Sequence, residues 1–264
     1  MGAIDFNLPT VNGVSTNRVF AEMDTGKVNT LWMTIGKDPN GGVHNFSLPL
    51  LAELQDMVQT VKANSGNWPH AGQPAPIHYA VMRSDHPEYF NLGGDLDHFR
   101  TCIKNRDSAA LHDYSKQCLD LMYEWATLAN GTMTTVALVQ GRALGGGFET
   151  ALSADYLVAE EHSTFGFPEI MFGLFPCTGG MSLLSRRIGV YQAEKMMTNK
   201  RIYTAPELLE MGVIDAMCPT GHGVAAVDRF IAEHASRRTA RLMIQRSRHR
   251  IAPLDYQELS LVVD

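Results

Sequence analysis

Two glutamates, each among apolar neighbours, are the residues of this chain best suited by type to move protons. Glu149 follows three glycines in "VALVQGRALGGGFETALSADYLVAEE", and Glu169 sits in "FGFPEIMFG" between Phe165, Phe167, Ile170 and Phe172. An unpaired charge is costly in such surroundings, so a carboxyl group there shifts its pKa and can act as a general acid or base. Glu149 also falls in the first turn of an expected helix, where the dipole favours the ionised form; a plain helix-start carboxylate is the bland reading.

The glycines suggest what the carboxylates could work beside. Glycine at a helix start lets backbone N–H groups approach a ligand, and the first amides of a helix have no internal partner. Gly145 to Gly147 form one such turn, and Gly93-Gly94 in "YFNLGGDLDHF" form another. Two amides from separate loops that meet on one carbonyl oxygen make an oxyanion hole. Taken alone, the glycine triplet fits equally well a helix packed closely on a strand or a second subunit. There is no G-x-x-x-x-G-K-[ST], no G-x-G-x-x-G with its acidic partner, no G-x-S-x-G elbow and no H-E-x-x-H. The ten histidines show no ligand spacing, so no metal site is expected.

Composition narrows the classes further. The chain has 264 residues, 45% of them hydrophobic, enough for one sizeable core, and a formal charge of -6. That balance disfavours nucleic-acid binding, which needs a basic surface to displace counterions. Cys102, Cys118, Cys177 and Cys218 lack CxxC spacing and fit a reducing compartment, so a cytoplasmic location is expected. "MGAIDFNLPTVNG" does not read as a leader, and no apolar run approaches the ~18 residues of a membrane span.

The elements that must position these groups alternate. "KVNTLWMTIG" predicts a strand, and "LPLLAELQDMVQTVKAN" a helix with Leu51, Leu54, Met57, Val58 and Val61 on one face. "NSGNWPHAGQPAP" reads as a Pro/Gly-rich connection and "IHYAVMRSD" as a strand. A long helix is expected from Asp107 to Asn130, stopped by Asn130-Gly131, followed by a buried strand, "TTVALVQG". "DYLVAE" and "VIDAMCP" predict strands, "TGGMSLLSRRIG" and "YQAEKMMTN" helices. "TAPELLEMG" predicts a helix capped by Thr204, with Glu207 three residues on and Gly212 beyond its end. From Val224 to Asp264 the pattern is helical throughout.

With these parts in order, the sequence resembles the crotonase (enoyl-CoA hydratase/isomerase) superfamily from Val28 to Pro219. The resemblance rests on "FNLGGDL", "VQGRALGGGFETALSADYLVAEEHSTFGFPEIMFGLFP" and "RIYTAPELLEMGVIDAMCP". It implies an α/β fold, a crotonase-like spiral of ββα turns with a helical C-terminal region, divided here as residues 1–220 and 221–264. It implies a homotrimer or a dimer of trimers. An acyl-thioester carbonyl would be held by the amides of Gly94 and Gly146, and Glu149 and Glu169 would add or remove water. No separate cofactor is implied, because the CoA or acyl-carrier-protein phosphopantetheine is part of the substrate. "FNLGGDLDHFR", "IKNRDSAAL", "TTVALVQGRALGGGFE" and "PEIMFGLFP" look more particularly like the diffusible signal factor synthases. Members of that branch dehydrate 3-hydroxyacyl-carrier-protein to a cis-2-enoyl product and, in several cases, hydrolyse the thioester. The alternatives are an enoyl-CoA hydratase of fatty-acid metabolism and a non-catalytic module binding a regulatory protein partner.

Leu144, Phe148, Met171, Phe172, Leu174 and Phe175 are expected around an acyl pocket, unless they are simply core. Cys177 stands where the family commonly has glycine, which would reshape that pocket. The resemblance also implies a helix or two after "YQELSLVVD", completing a lid over the acyl chain. The six arginines of "RRTARLMIQRSRHR", Arg237, Arg238, Arg241, Arg246, Arg248 and Arg250, read as a solvated helix face. The sharper reading is a contact for CoA phosphates or an acidic carrier protein.

Overall fold

The structure, a computed structural model, describes residues 18–128 and 131–263. The N-terminal stretch "MGAIDFNLPTVNG", Asn130 of the helix stop and the final Asp264 lie outside the described residues. The chain runs β1 (Val19–Asp24), β2 (Thr30–Ile35), α1 (Leu48–Ala63), β3 (Asn67–His70), β4 (Gln73–Pro76), β5 (Tyr79–Ser84), β6 (Tyr89–Asn91), α2 (Leu96–Asn105) and α3 (Ser108–Thr127). It continues β7 (Thr134–Val139), β8 (Arg142–Leu144), α4 (Gly146–Ser153), β9 (Tyr156–Glu160), β10 (Thr164–Gly166), α5 (Gly180–Ile188) and α6 (Val190–Thr198). It ends β11 (Tyr203–Thr204), α7 (Ala205–Glu210), β12 (Ala216–Cys218), α8 (Gly223–Ala235), α9 (Arg238–Ile251) and α10 (Tyr256–Ser260).

A repeated unit organises these elements. β5-β6-α2, β7-β8-α4 and β9-β10-α5 are successive ββα turns. The first strand of each joins a six-stranded sheet, β1-β2-β5-β7-β9-β12, and the second a four-stranded sheet, β11-β10-β8-β6. Within the larger sheet all pairs from β2 to β12 are parallel, while β1 runs antiparallel to β2. This is the expected α/β spiral with a helical C-terminal region.

The uncharged run of β7 has a two-sided cause. Its six residues are all buried, Val136 and Leu138 against one hydrophobic cluster and Ala137 and Val139 against the other. Alternate side chains of a strand point to opposite faces, so a strand covered on both sides must be apolar at every position. α8 supplies Val227 and Ile231 to one cover; α1, α3 and α4 supply the other.

Local capping fixes several boundaries. Thr204 and Glu207 form a reciprocal capping box on α7, and Gly212, with φ +77, follows its end. The Asp107 carboxylate accepts the amide of Ala110 at the start of α3. The connection around "PHAGQP" is instead a two-stranded ribbon, β3 with β4, turned by Ala71 (φ +48) and Gly72 (φ +76). Positive φ at both turn residues suits a two-residue hairpin, and the prolines had pointed to a loop.

The helical tail is tied to the sheet through Asp155. Its buried carboxylate accepts the amide (3.0 Å) and hydroxyl (3.1 Å) of Thr135, Nε2 of Gln245 (2.8 Å) and Nη2 of Arg248 (3.1 Å). His249 Nε2 lies 2.9 Å from Asp155 Oδ1. Half of the arginine stretch therefore holds α9 in place: Arg238 and Arg246 donate to the carbonyls of Thr132 and Gly131, and Arg248 to Asp155. Arg237, Arg241 and Arg250 are exposed. No helix among the described residues is long and apolar enough to cross a membrane.

Candidate active site

The turn from β8 into α4 is crowded at two of its three glycines, Gly145 and Gly147. Gly145 has φ +52 and ψ -127, a backbone conformation that side chains oppose. A Cβ at Gly145 would meet Oε1 of Glu169 at 2.2 Å, whereas one at Gly147 would meet the carbonyl oxygen of Asn91 at 2.1 Å. Gly147 thus permits the close packing that was one of the two sequence alternatives, and Gly145 makes room for a carboxylate, a use the sequence did not suggest.

Gly93 and Gly94 lie against this turn. A Cβ at Gly93 would fall 2.8 Å from the amide nitrogen of Gly146, so the two loops touch backbone to backbone. Leu92 donates its amide to His44 O, Gly93 to Asn91 Oδ1 and Asp95 to Tyr114 Oη. Among the described residues the Gly94 amide has no acceptor. Gly146 opens α4, where an amide has no carbonyl one turn back. The loop of Gly94 and the turn of Gly146 are therefore neighbours. Tyr114 also donates to Phe46 O at 2.6 Å, and Asp95 caps α2, which pins the Gly94 loop from both sides.

Glu149, in the first turn of α4, is 2% exposed. Oε1 accepts the amides of Thr178 (3.1 Å) and Gly180 (2.7 Å), and Oε2 accepts the Thr178 hydroxyl at 2.5 Å. Burial pushes its pKa upward, and these donors pull against that shift. Glu169 lies in a 3-10 turn, Pro168–Phe172, closed by Gly173 at φ +71. Its Oε2 is buried without a hydrogen-bond partner among the described residues. Burial, and then the charge of Glu149, raise Glu169 to about 7. Two carboxylates that repel each other in a poorly solvated place titrate as a coupled pair.

Cys177 sits between them electrostatically. Burial, then Glu149, push its thiol up to about 12, so it is a neutral thiol rather than a nucleophilic thiolate. Thr178 and Gly180 were not singled out in the sequence. The only hint was the "TGG" before α5, since neither spacing nor charge links residue 178 to residue 149.

The candidate acyl-pocket residues divide. Phe148 is fully buried in the core against Phe165 and Phe167, at ring distances of 5.2 and 5.0 Å, and so takes the core alternative. Leu144 is half-buried at the Gly93 contact. Met171, Phe172, Leu174 and Phe175 are all more than half exposed along and after the 3-10 turn. A cavity of about 250 Å³ lies at the opposite end of α4, lined by Ser153, Asp155, Arg187, Arg248 and His249, and does not include either glutamate.

Comparison with known proteins gives the family and the fold. A family model described as enoyl-CoA hydratase/isomerase matches residues 73–252. The alpha subunit of the fatty acid oxidation complex of Vibrio cholerae is 26% identical over 215 residues, 81% of this chain and 28% of that protein. This chain thus spans little more than a quarter of that relative's length. A probable enoyl-CoA hydratase of Rhizobium meliloti is 34% identical over 114 residues, 43% of this chain and 42% of that protein. The structure of Pseudomonas aeruginosa DspI superposes with a TM-score of 0.70 at 22% identity, covering 91% of this chain and 85% of that one, a likeness of fold.

Proposed function

Because the chain belongs to the enoyl-CoA hydratase/isomerase family, we propose that it removes water from, or adds water to, an acyl thioester, using Glu149 and Glu169 as its acid/base pair. One observation carries this reading. The glutamates converge beside the Gly145–Gly146 turn, one held by three donors and the other raised to about 7.

The chemistry follows from the groups present. The thioester carbonyl oxygen binds the amides of Gly94 and Gly146, which stabilise negative charge as C2 loses its proton. One carboxylate takes that proton while the other gives its own to the departing C3 hydroxyl, which leaves as water. The pair still holds one proton afterwards, on the other member, and hydration runs the same steps backwards. The same amides suit the tetrahedral intermediate of thioester hydrolysis, in which a carboxylate activates water. A protonated Cys177 is consistent with water as that nucleophile.

Within the family, the preferred substrate is a 3-hydroxyacyl-carrier-protein, dehydrated to the cis-2-enoyl form and released as a free fatty-acid signal. The support is the run of motifs shared with the signal-factor synthases, "FNLGGDLDHFR" and "PEIMFGLFP" above all. The second reading, hydration of trans-2-enoyl-CoA, is favoured by the likeness to the Rhizobium meliloti protein. Offering both thioesters to the purified protein and identifying products by mass and double-bond geometry separates them. Free cis-2-enoic acid supports the first reading; 3-hydroxyacyl-CoA alone supports the second. No turnover of either counts against both.

A further inference from the structure

An acid/base carboxylate must hold a proton at one stage and lose it at another, and a buried one needs a hydrogen-bond partner in both states. The two oxygens of Glu149 differ in this respect. Oε1 faces the amides of Thr178 and Gly180, which can donate but never accept. A proton on Oε1 would point at two donors. Oε2 faces one group, the hydroxyl of Thr178 at 2.5 Å, and a hydroxyl does both. With Glu149 2% and Thr178 6% exposed, solvent is poorly placed to substitute for that hydroxyl.

We infer that Thr178 is a positioning residue that partners Glu149 in both of its protonation states. The hydroxyl donates to ionised Oε2 and turns to accept when Oε2 is protonated, so the proton is confined to Oε2. Thr178 keeps its own proton throughout; only the direction of its O–H bond changes. The amide of the same residue fixes Oε1, so one residue orients the whole carboxylate.

The inference rests on the reading of Glu149 as a proton carrier. The other titratable groups that act on it are Glu169 in the 3-10 turn, Cys177 beside Thr178 and Cys118 on α3. Arg187 of α5 serves the opposite end of α4, donating to Ala154 O. Arg186, also of α5, donates to Ala252 O. Arg142 of β8 is exposed over the Tyr89 ring of β6, and Glu160 of β9 accepts the amides of Gly221 and Gly223.

The test titrates the carboxyl carbon of Glu149 by ¹³C NMR in the substrate-free protein, assigned by its loss in Glu149→Gln. Thr178→Val, which keeps the shape and removes the hydroxyl, should raise the midpoint by about one to two pH units. Thr178→Ser should restore the wild-type midpoint, and Thr178→Ala should repeat the valine result if the valine variant does not fold. Unchanged midpoints in the valine and alanine variants, or a serine variant that follows them, overturn the inference. Because no substrate is needed, a wild-type protein that shows this pattern and processes no thioester contradicts the proposed function while supporting the role of Thr178.

Discussion

Alanine at position 145 separates the cost to folding from the cost to chemistry. Its methyl carbon would stand 2.2 Å from Oε1 of Glu169 and 3.1 Å from Cδ, where ordinary contact begins at 3.4 Å. The carboxylate must therefore retreat by about 1 Å, a displacement that costs on the order of 10²-fold in rate when the group handles a reacting proton. The atom struck is the free end of a side chain, so the steric cost to folding is small. The backbone adds about 1 to 3 kcal/mol, because alanine is strained at φ +52. Gly145→Ala should fold, melt roughly 2 to 12 °C below wild type, and lose about 100-fold in kcat with little change in KM. The assay follows loss of the conjugated enoyl absorbance or appearance of acid, with melting by circular dichroism. Gly147→Ala is the contrast: its Cβ would strike the Asn91 carbonyl oxygen at 2.1 Å and carbon at 2.6 Å, backbone that cannot swing aside. That variant should lose stability first. Wild-type kcat in Gly145→Ala, in a protein where Glu169→Gln is inactive, refutes the placement of Glu169 at the chemistry.

Three further outcomes concern stability. Glu169 rises from an ordinary 4.5 to about 7, so its contribution to folding is full below pH 4.5 and lost as pH rises through 7. Between those limits wild type should lose about 2 kcal/mol relative to Glu169→Gln, allowing for partial exposure, by urea unfolding at pH 4.5 and 7.5; parallel curves would contradict this. Asp155→Ala leaves Thr135, Gln245, Arg248 and His249 without their shared acceptor, and should cost about 3 to 5 kcal/mol with faster hydrogen exchange in α9. Thr204→Ala should cost about 1 kcal/mol through loss of the capping box, read from the urea midpoint, with kcat unchanged.

Legibility in the sequence followed the range of the interaction that fixes each feature. β7 was readable because burial on both faces demands an uncharged run, and α7 because its cap is contained in four consecutive residues. β6, β8, β10 and β11 are two or three residues long, and their strand character comes from partners in neighbouring turns of the spiral, which no local pattern encodes. The glutamates announced themselves by charge among apolar residues. The groups that hold Glu149 did not, because Thr178 and Gly180 approach from 29 and 31 residues away. Phe148 could not be assigned to pocket or core by type alone. Its neighbours Phe165 and Phe167 arrive from β10 and the segment after it, and together they close the core beneath α4.

The central claim is that Glu149 and Glu169 act as one acid/base pair, one exchanging a proton with C2 of an acyl thioester while the other exchanges a proton with the water that joins or leaves C3. Its most direct test is hydration of trans-2-enoyl-CoA in doubly labelled water, ²H and ¹⁸O, with mass analysis of the acyl product. Wild type should place one deuterium at C2 and one heavy oxygen at C3, with each of Glu149→Gln and Glu169→Gln slowed by about 10² to 10⁴-fold. Heavy oxygen appearing only in a released carboxylate, with C2 unlabelled, or either glutamine variant working at the wild-type rate, contradicts the account.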